Sequence, residues 1–482
     1  MSDAGRKPVK IILRSYQVGF GDCFLLTFNY GDKDDRHVLI DFGSTGLPKE
    51  FEEKQAETHM LEVAEQIRRD CNKKLHVVVA THRHKDHISG FSTTGEKNAD
   101  GETTGSIISS CKPDMVIQPW TENPNLDDKT VKESAARKMI SNEDFKAAPE
   151  KSFAATLLNM QRVAGLIKVE SNRLGTTVAE AEDDTVGFTH PLDDKTKKQL
   201  FFMGDNNVAN ESAVMNLRAM GAKAAAHFVA FGDRIGLSQV LPGVKVRILG
   251  PPTLKQHHEI IKQRSRDDEE FWMFHSMAKN FWGMQALTAD LVEDLNEREN
   301  DMPDRLFPKA KVYQNFAPSE TRWFIRQVRT LRADQLLGLV RILDKALNNT
   351  SVILLFEIGD KKLLFPGDAQ IENWEYALSK PEIRKLLRET TLYKVGHHGS
   401  RNATPKTLWN DFKNRSTDDK KDDRLKTVVS TMPGKHGHTE QTAVPRRTLV
   451  NELEKLSEYH TTQNIKNKSE TDGWCEKIVI KL

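Results

Sequence analysis

The chain has 482 residues, with 71 lysines and arginines against 69 aspartates and glutamates, and a formal net charge of +2. This balance excludes a protein whose whole surface attracts nucleic acid, but it does not exclude a local basic groove. No apolar run approaches the roughly 18 residues of a membrane span, and the first ten residues have no signal-peptide core. We therefore expect a cytoplasmic protein that does not enter a membrane.

The N-terminal part of the chain alternates short apolar runs with turns. Runs at residues 9–14 and 23–28 flank the glycine-rich turn at residues 19–22, which predicts a β-hairpin. A third strand is predicted at residues 37–41. A helix is predicted from about residue 50 to residue 70, because its apolar residues recur at helical spacing.

Two further runs, at residues 75–80 and 114–118, are short and almost uniformly apolar, which is typical of strands buried on both faces. Later strands are predicted at residues 244–249, 351–356 and 362–365. Strands that alternate with helices favour a layered α/β fold.

Three stretches interrupt this pattern. Polar residues dominate residues 121–225, which we interpret as a variable insertion. Residues 254–347 predict a mainly helical insertion, and its aromatic residues form either its own core or a surface for a substrate or a protein partner. Residues 414–424 are rich in charge and predict a loop.

The residues with the clearest chemistry form a histidine loop at residues 82–87, which follows a buried strand. His82 and His84 are two residues apart in a turn, so their rings can converge on one ion. Asp86 and His87 lie further along and can face a second ion. Imidazole with carboxylate suits Zn²⁺, and also Mn²⁺ or Fe²⁺. The alternative is an exposed histidine-rich turn without a function.

Later motifs accompany the histidine loop. Residues 365–368 read Phe-Pro-Gly-Asp, residues 394–400 read Lys-Val-Gly-His-His-Gly-Ser, and Gly-His stands at 437–438. With Ile-Asp-Phe-Gly at 40–43, the set resembles the metallo-β-lactamase superfamily. The motif order, with Asn-Asn-x-Ser at 348–351, resembles the hydrolase domain of the DNA-uptake channel proteins of competent bacteria.

The resemblance covers residues 9–120, 240–252 and 348–450, and the Gly-x-Gly-Asp turn at 19–22 fits the same subgroup. It implies an α/β fold, namely the four-layer αββα metallo-β-lactamase sandwich, here with a large helical insertion. Residues 8–480 then form one hydrolase domain that contains the insertions.

The resemblance also implies two divalent metal ions, with zinc as the first choice and manganese as the alternative. The implied metal ligands are His82, His84, Asp86, His87, Asp368 and His397. Asp368 bridges the two ions, and His398 competes with His397 for the last place. Family members usually carry a third histidine for the first ion, but the corresponding region here carries Asn348. An amide oxygen is a weak ligand, so the first site is expected to be weaker.

Further roles are implied outside the ligand set. Asp41 accepts hydrogen bonds from behind the histidine loop and orients it. His438 lies at the mouth of the cleft and acts on a substrate oxyanion or a leaving group. Asp86 orients the nucleophile. A second Gly-Asp at Asp205 rivals Asp368, but only Asp368 is followed by His-His-Gly-Ser.

The four cysteines are Cys23, Cys71, Cys111 and Cys475. They are scattered and form no C-x-x-C pair, which predicts reduced thiols rather than a disulfide framework or a structural zinc site.

The leading hypothesis for function is phosphodiester hydrolysis, with nucleic acid or a smaller phosphodiester as the substrate and a hydroxide held between the two ions as the nucleophile. The alternative is a small-molecule ester, lactone or thioester hydrolase, because the same machinery suits all these substrates. A third hypothesis is a non-catalytic protein whose insertions bind a partner. The sequence does not indicate the oligomeric state.

Overall fold

The computed structural model describes ten segments of the chain: residues 6–31, 34–47, 53–124, 210–257, 260, 347–400, 404–432, 434–435, 444–465 and 472–482, with the backbone alone for 53–57. The chain is divided into two compact units. The first consists of Met1–Asn123, Ala209–Gln263 and Lys345–Leu482. The second consists of Pro124–Val208 and Arg264–Asp344, of which only Pro124 is described. The rival Asp205, the aromatic residues of the helical insertion and His438 lie outside the described residues.

Strands and helices alternate along the described segments. The strands are β1 (Lys10–Tyr16), β2 (Cys23–Asn29), β3 (Arg36–Phe42), β4 (Val77–Val79), β5 (Met115–Pro119), β6 (Ala225–Val229), β7 (Lys245–Gly250), β8 (Ile353–Ile358), β9 (Lys361–Phe365), β10 (Leu392–Lys394), β11 (Lys426–Val429), β12 (Glu458–Thr461) and β13 (Cys475–Lys481). The helices are α1 (Glu53–Asp70), α2 (Lys85–Ile88), α3 (Thr104–Ser110), α4 (Glu211–Lys223), α5 (Leu237–Val240), α6 (Ile371–Leu378), α7 (Pro381–Arg388), α8 (Lys406–Asp411) and α9 (Arg447–Leu456).

The strands form two mixed sheets, which confirms an α/β protein. The first sheet has seven strands in the order β13-β1-β2-β3-β4-β5-β6, and the second has six in the order β12-β11-β10-β9-β8-β7. In the first sheet β3, β4, β5 and β6 run parallel, and in the second sheet β9, β10, β11 and β12 do so. The hairpin predicted at the N-terminus is the antiparallel pair β1–β2.

One apolar core is shared by the two sheets. The ring of Phe24 in β2 lies 5.9 Å from that of Phe365 in β9, and the ring of Phe28 lies 6.0 Å from that of Phe356. Helices cover the other face of each sheet: α1, α3 and α4 pack on the first, and α6, α7, α8 and α9 on the second. Each large apolar side chain buried in this way stabilises the fold by about 1.5–3 kcal/mol.

The insertion predicted at residues 121–225 overlaps the first compact unit. Helix α4 and the first residue of β6 lie within it, and β6 pairs with β5. The apolar residues of α4 that enter the core are Ala213, Val214, Leu217 and Met220. Their helical spacing was the available signal, but the polar composition of the preceding stretch concealed it.

Other sequence expectations concern the surface and the thiols. All four cysteines are free and buried, as predicted. Residues 414–424 contain neither helix nor strand. No helix in the described part of the chain is both long and apolar enough to cross a membrane.

Two buried histidines of the first sheet region, His37 and His76, predict that the folded protein loses stability in acid. The backbone N–H of His37 donates to Nδ1 of His76 at 3.0 Å, and the Arg36 guanidinium lies 3.0 Å from Nε2 of His76. Burial, followed by the charge of His76, lowers the pKa of His37 to about 3. Burial, followed by the charge of Arg36, lowers the pKa of His76 to about 4. Both rings are therefore neutral in the folded protein at neutral pH.

Because these pKa values lie below that of an unfolded histidine, about 6.5, the unfolded chain takes up protons first as the pH falls. The stability that the two neutral histidines contribute is fully present above about pH 6.5 and decreases as the pH falls toward about 4. Urea unfolding measures the free energy of unfolding at about pH 7.5 and at about pH 5. The decrease in this free energy between the two pH values should be about 2 kcal/mol smaller in His76→Asn than in the wild type. Asparagine retains an acceptor for the His37 N–H. Equal losses in the two proteins would contradict the role of His76.

Candidate metal centre

The candidate residues follow the carboxyl ends of strands in both sheets. Asp41 is the second-last residue of β3, the histidine loop follows β4, Asp368 follows β9, and His398 follows β10. Ends of parallel strands are where open α/β sheets place their binding sites. The histidine loop also packs closely on Gly43: a Cβ at Gly43 would overlap the Lys85 carbonyl oxygen, so only glycine allows this approach.

Four side chains converge at this place, and we call them the four-ligand cluster: Asp86, His87, Asp368 and His398. Each offers one ligand atom, and the four atoms lie within 4.8 Å of one another. Nε2 of His87 is 3.1 Å from Oδ2 of Asp368, and Nε2 of His398 is 3.1 Å from Oδ2 of Asp86. Nε2 of His398 is also 3.6 Å from Asp368. Two imidazoles and two carboxylates form a ligand set that suits Zn²⁺ or Mn²⁺.

The backbone of the His-His-Gly-Ser motif points His398 into this cluster. His397 and His398 have φ values of 43° and 51°, in the left-handed region that costs a non-glycine residue about 1–3 kcal/mol. Nδ1 of His398 donates to the Ser430 carbonyl at 3.0 Å, so Nε2 faces the carboxylates. The ring of Phe20 packs against His398 at a centroid distance of 4.4 Å.

The geometry favours His398 over His397 as the ligand. His397 is 28% exposed, its Nε2 lies 3.8 Å from Asp368, and it is not part of the cluster. The sequence prediction named His397 first and His398 as its competitor. The sequence alone cannot distinguish adjacent histidines, because the choice depends on the backbone conformation. His397 remains beside the cluster, on its more exposed side.

The other two histidines of the loop form a separate pair. Nε2 of His82 and Nδ1 of His84 approach each other to 2.9 Å, so both rings point to one place. Among the described histidines, cysteines, aspartates and glutamates, no third side chain joins them in a group of metal-binding geometry. Asn348 is buried, and its Oδ1 accepts no hydrogen bond within the described part of the chain.

Asp41 orients the histidine loop from behind. Its carboxylate accepts hydrogen bonds from the backbone N–H of Thr81 at 2.7 Å, from the Thr81 hydroxyl at 2.7 Å, and from Nδ1 of His87 at 2.8 Å. Because Nδ1 of His87 is held in this way, Nε2 is directed at Asp368. Burial raises the pKa of Asp41 despite the opposing effect of His87.

The charges of the cluster are strongly coupled. Burial opposes ionisation of Asp368, but the nearby imidazoles of His87, His398 and His397 hold its pKa well below the usual range. Burial likewise opposes protonation of His87, yet Asp368 and Asp41 raise its pKa well above the ordinary value. The carboxylate of Asp368 is therefore ionised, which is the form that a cation requires, whereas the imidazole of His87 must lose a proton when a cation binds.

Two contributors were missed in the sequence. Asp22 is fully buried and forms an ion pair with Lys394, whose side chain is 2% exposed. Asp22 belongs to the Gly-x-Gly-Asp turn, and a lysine within a buried strand was the signal for Lys394. Neither residue follows from spacing, because the two are brought together only by the packing of one sheet on the other.

The cluster passes a chemical test for a metal site. Nε2 of His87 and Oδ1 of Asp368 are buried and have no hydrogen-bond partner within the described residues, although both lie near opposite charges. Buried polar atoms are normally satisfied, so these two atoms fit a site that could hold a metal ion. A scan against protein-family models and a search of the curated proteins find no match for this chain. The functional argument therefore rests on the geometry of the cluster.

Proposed function

We propose that the protein is a metal-dependent hydrolase of the metallo-β-lactamase superfamily and that its paired sheets form the four-layer αββα sandwich of that family. The observation that carries the proposal is the four-ligand cluster, in which Asp86, His87, Asp368 and His398 converge from loops of both sheets. Two divalent ions, zinc or manganese, are proposed, the first at His82 and His84 and the second at the four-ligand cluster.

The residues of this chain have separable tasks in the proposed reaction. A divalent cation bound there supplies Lewis acidity and lowers the pKa of a water molecule. His87, His398 and Asp368 hold and orient the site, and Asp41 fixes the ring of His87. Asp86 is the only partly buried residue among the four, so we assign to it the proton of the attacking water.

A pair of lysines favours an anionic substrate. Lys85 lies in the histidine loop, and Nζ of Lys435 donates to the Thr45 carbonyl at 2.8 Å. Lys85 directly precedes Asp86 of the cluster in the chain, and burial and then the charge of Lys85 lower the pKa of Lys435. Positive charge beside a metal centre stabilises phosphate more than a neutral acyl group. We therefore favour a phosphodiesterase or nuclease over an esterase, lactonase or thioesterase.

An activity panel tests this proposal. Purified protein loaded with Zn²⁺ or Mn²⁺ is incubated with bis-p-nitrophenyl phosphate, labelled single-stranded DNA and RNA, p-nitrophenyl acetate and a lactone. We expect cleavage of at least one phosphodiester that stops with EDTA and returns when the metal is restored. Turnover of the ester or lactone alone would favour the alternative. Metal binding without turnover of any substrate would favour an interaction protein.

A further inference from the structure

A buried ion pair lies directly behind the four-ligand cluster. Lys394 ends β10, its Nζ pairs with Asp22, and it also donates to the Gly367 carbonyl at 3.1 Å. The same Nζ lies 3.7 Å from Oδ1 of Asp368. Lys394 therefore links the turn before β2 with the turn that carries Asp368.

Asp22 contacts the other three members of the cluster. Its Oδ1 is 3.5 Å from Nδ1 of His398, and its Oδ2 is 3.7 Å from Nδ1 of His87. Its backbone N–H donates to the carbonyl oxygen of Asp86 at 2.8 Å. The two residues of the pair together contact every residue of the four-ligand cluster.

The pair is costly to bury, which argues for a purpose other than stability. Asp22 is completely buried and the side chain of Lys394 is 2% exposed, so both charges are removed from water. Apolar residues of similar volume often stabilise a fold as well as a buried ion pair does. A fixed ammonium, in contrast, offsets carboxylate charge beside the site without itself ligating a cation, because it has no lone pair.

We propose that Asp22 and Lys394 are a positioning pair that holds the four-ligand cluster in its metal-binding arrangement and so sets the affinity for the ion without touching it. This inference rests on the proposed metal-binding function. Outer residues that orient metal ligands typically change metal affinity 10–100-fold when they are replaced.

The test is a metal titration of the double variant Asp22→Asn/Lys394→Met, which removes both charges at once. Competition with a fluorescent chelator measures the dissociation constants for Zn²⁺ and Mn²⁺, and urea unfolding of the metal-free protein verifies the fold. We expect binding about 10–100-fold weaker than in the wild type, with the variant folded. A matched control is Lys426→Met/Glu458→Gln, which removes an ion pair between β11 and β12 of the second sheet and should leave affinity unchanged.

A folded double variant with wild-type affinity would overturn the positioning role and leave the proposed function intact. Wild-type protein that binds neither ion would instead contradict the proposed function and the inference with it. If the double variant does not fold, Asp22→Glu serves as the test, because it keeps both charges of the pair and displaces the carboxylate from its contacts with His87 and His398. The same loss of affinity is expected, and wild-type affinity of Asp22→Glu would overturn the proposal.

Discussion

Asp368→Asn is expected to lower metal affinity by more than about 100-fold, beyond the effect typical of residues that only orient ligands, and to reduce any metal-dependent hydrolysis in parallel. Asp368 is the carboxylate at which the cluster converges: its Oδ2 lies 3.1 Å from His87 and 3.6 Å from His398. Asparagine keeps the size of the side chain but removes its charge and one anionic ligand atom. The measurement is metal content after dialysis, combined with chelator competition.

Asp360→Asn is the matched control for this experiment. Asp360 lies in the turn between β8 and β9, on the same hairpin as Asp368, but its side chain is 79% exposed and pairs only with Lys361 among the described residues. The control should retain wild-type metal content and stability. Normal metal content in Asp368→Asn would show that the cluster does not bind the ion.

The second large effect concerns stability. Lys394→Met alone should destabilise the metal-free protein by about 3–5 kcal/mol, because it leaves the carboxylate of Asp22 buried without its cation. Adding Asp22→Asn removes that charge and should restore most of the loss. Urea unfolding of EDTA-treated protein measures both variants, so that bound metal does not contribute to stability.

Lys426→Met provides the comparison. Lys426 pairs with Glu458, but both side chains are partly exposed, at 23% and 45%. Removing this pair should cost no more than about 1 kcal/mol. A Lys394→Met variant as stable as Lys426→Met would mean that Asp22 is neutral or solvated in the folded protein.

Local sequence patterns were sufficient for much of the architecture and for the histidine loop. The apolar runs that become β4 and β5 are buried on both faces, and this burial imposes the uniform composition from which they were predicted. His82, His84, Asp86 and His87 are neighbours in the chain, so their approach needs little information from the rest of the fold. Asp41 lies near the end of β3 and Asp368 follows β9, as their motifs suggested.

Contacts between residues far apart in the chain could not be predicted from local sequence patterns. Asp22 and Lys394 are separated by most of the chain and meet only because β2 and β10 belong to sheets that share a core. The choice between His397 and His398 depends on two successive left-handed backbone conformations, which no side-chain pattern indicates. The polar stretch before α4 concealed a helix whose one apolar face packs into the core.

The most direct test of the account is a crystal structure of the protein soaked with Zn²⁺, with anomalous data collected at the zinc edge. The account predicts an anomalous peak about 2.0–2.2 Å from ligand atoms of Asp86, His87, Asp368 and His398. A zinc-soaked crystal in which the peak lies elsewhere, with these four side chains paired only to each other, would contradict it.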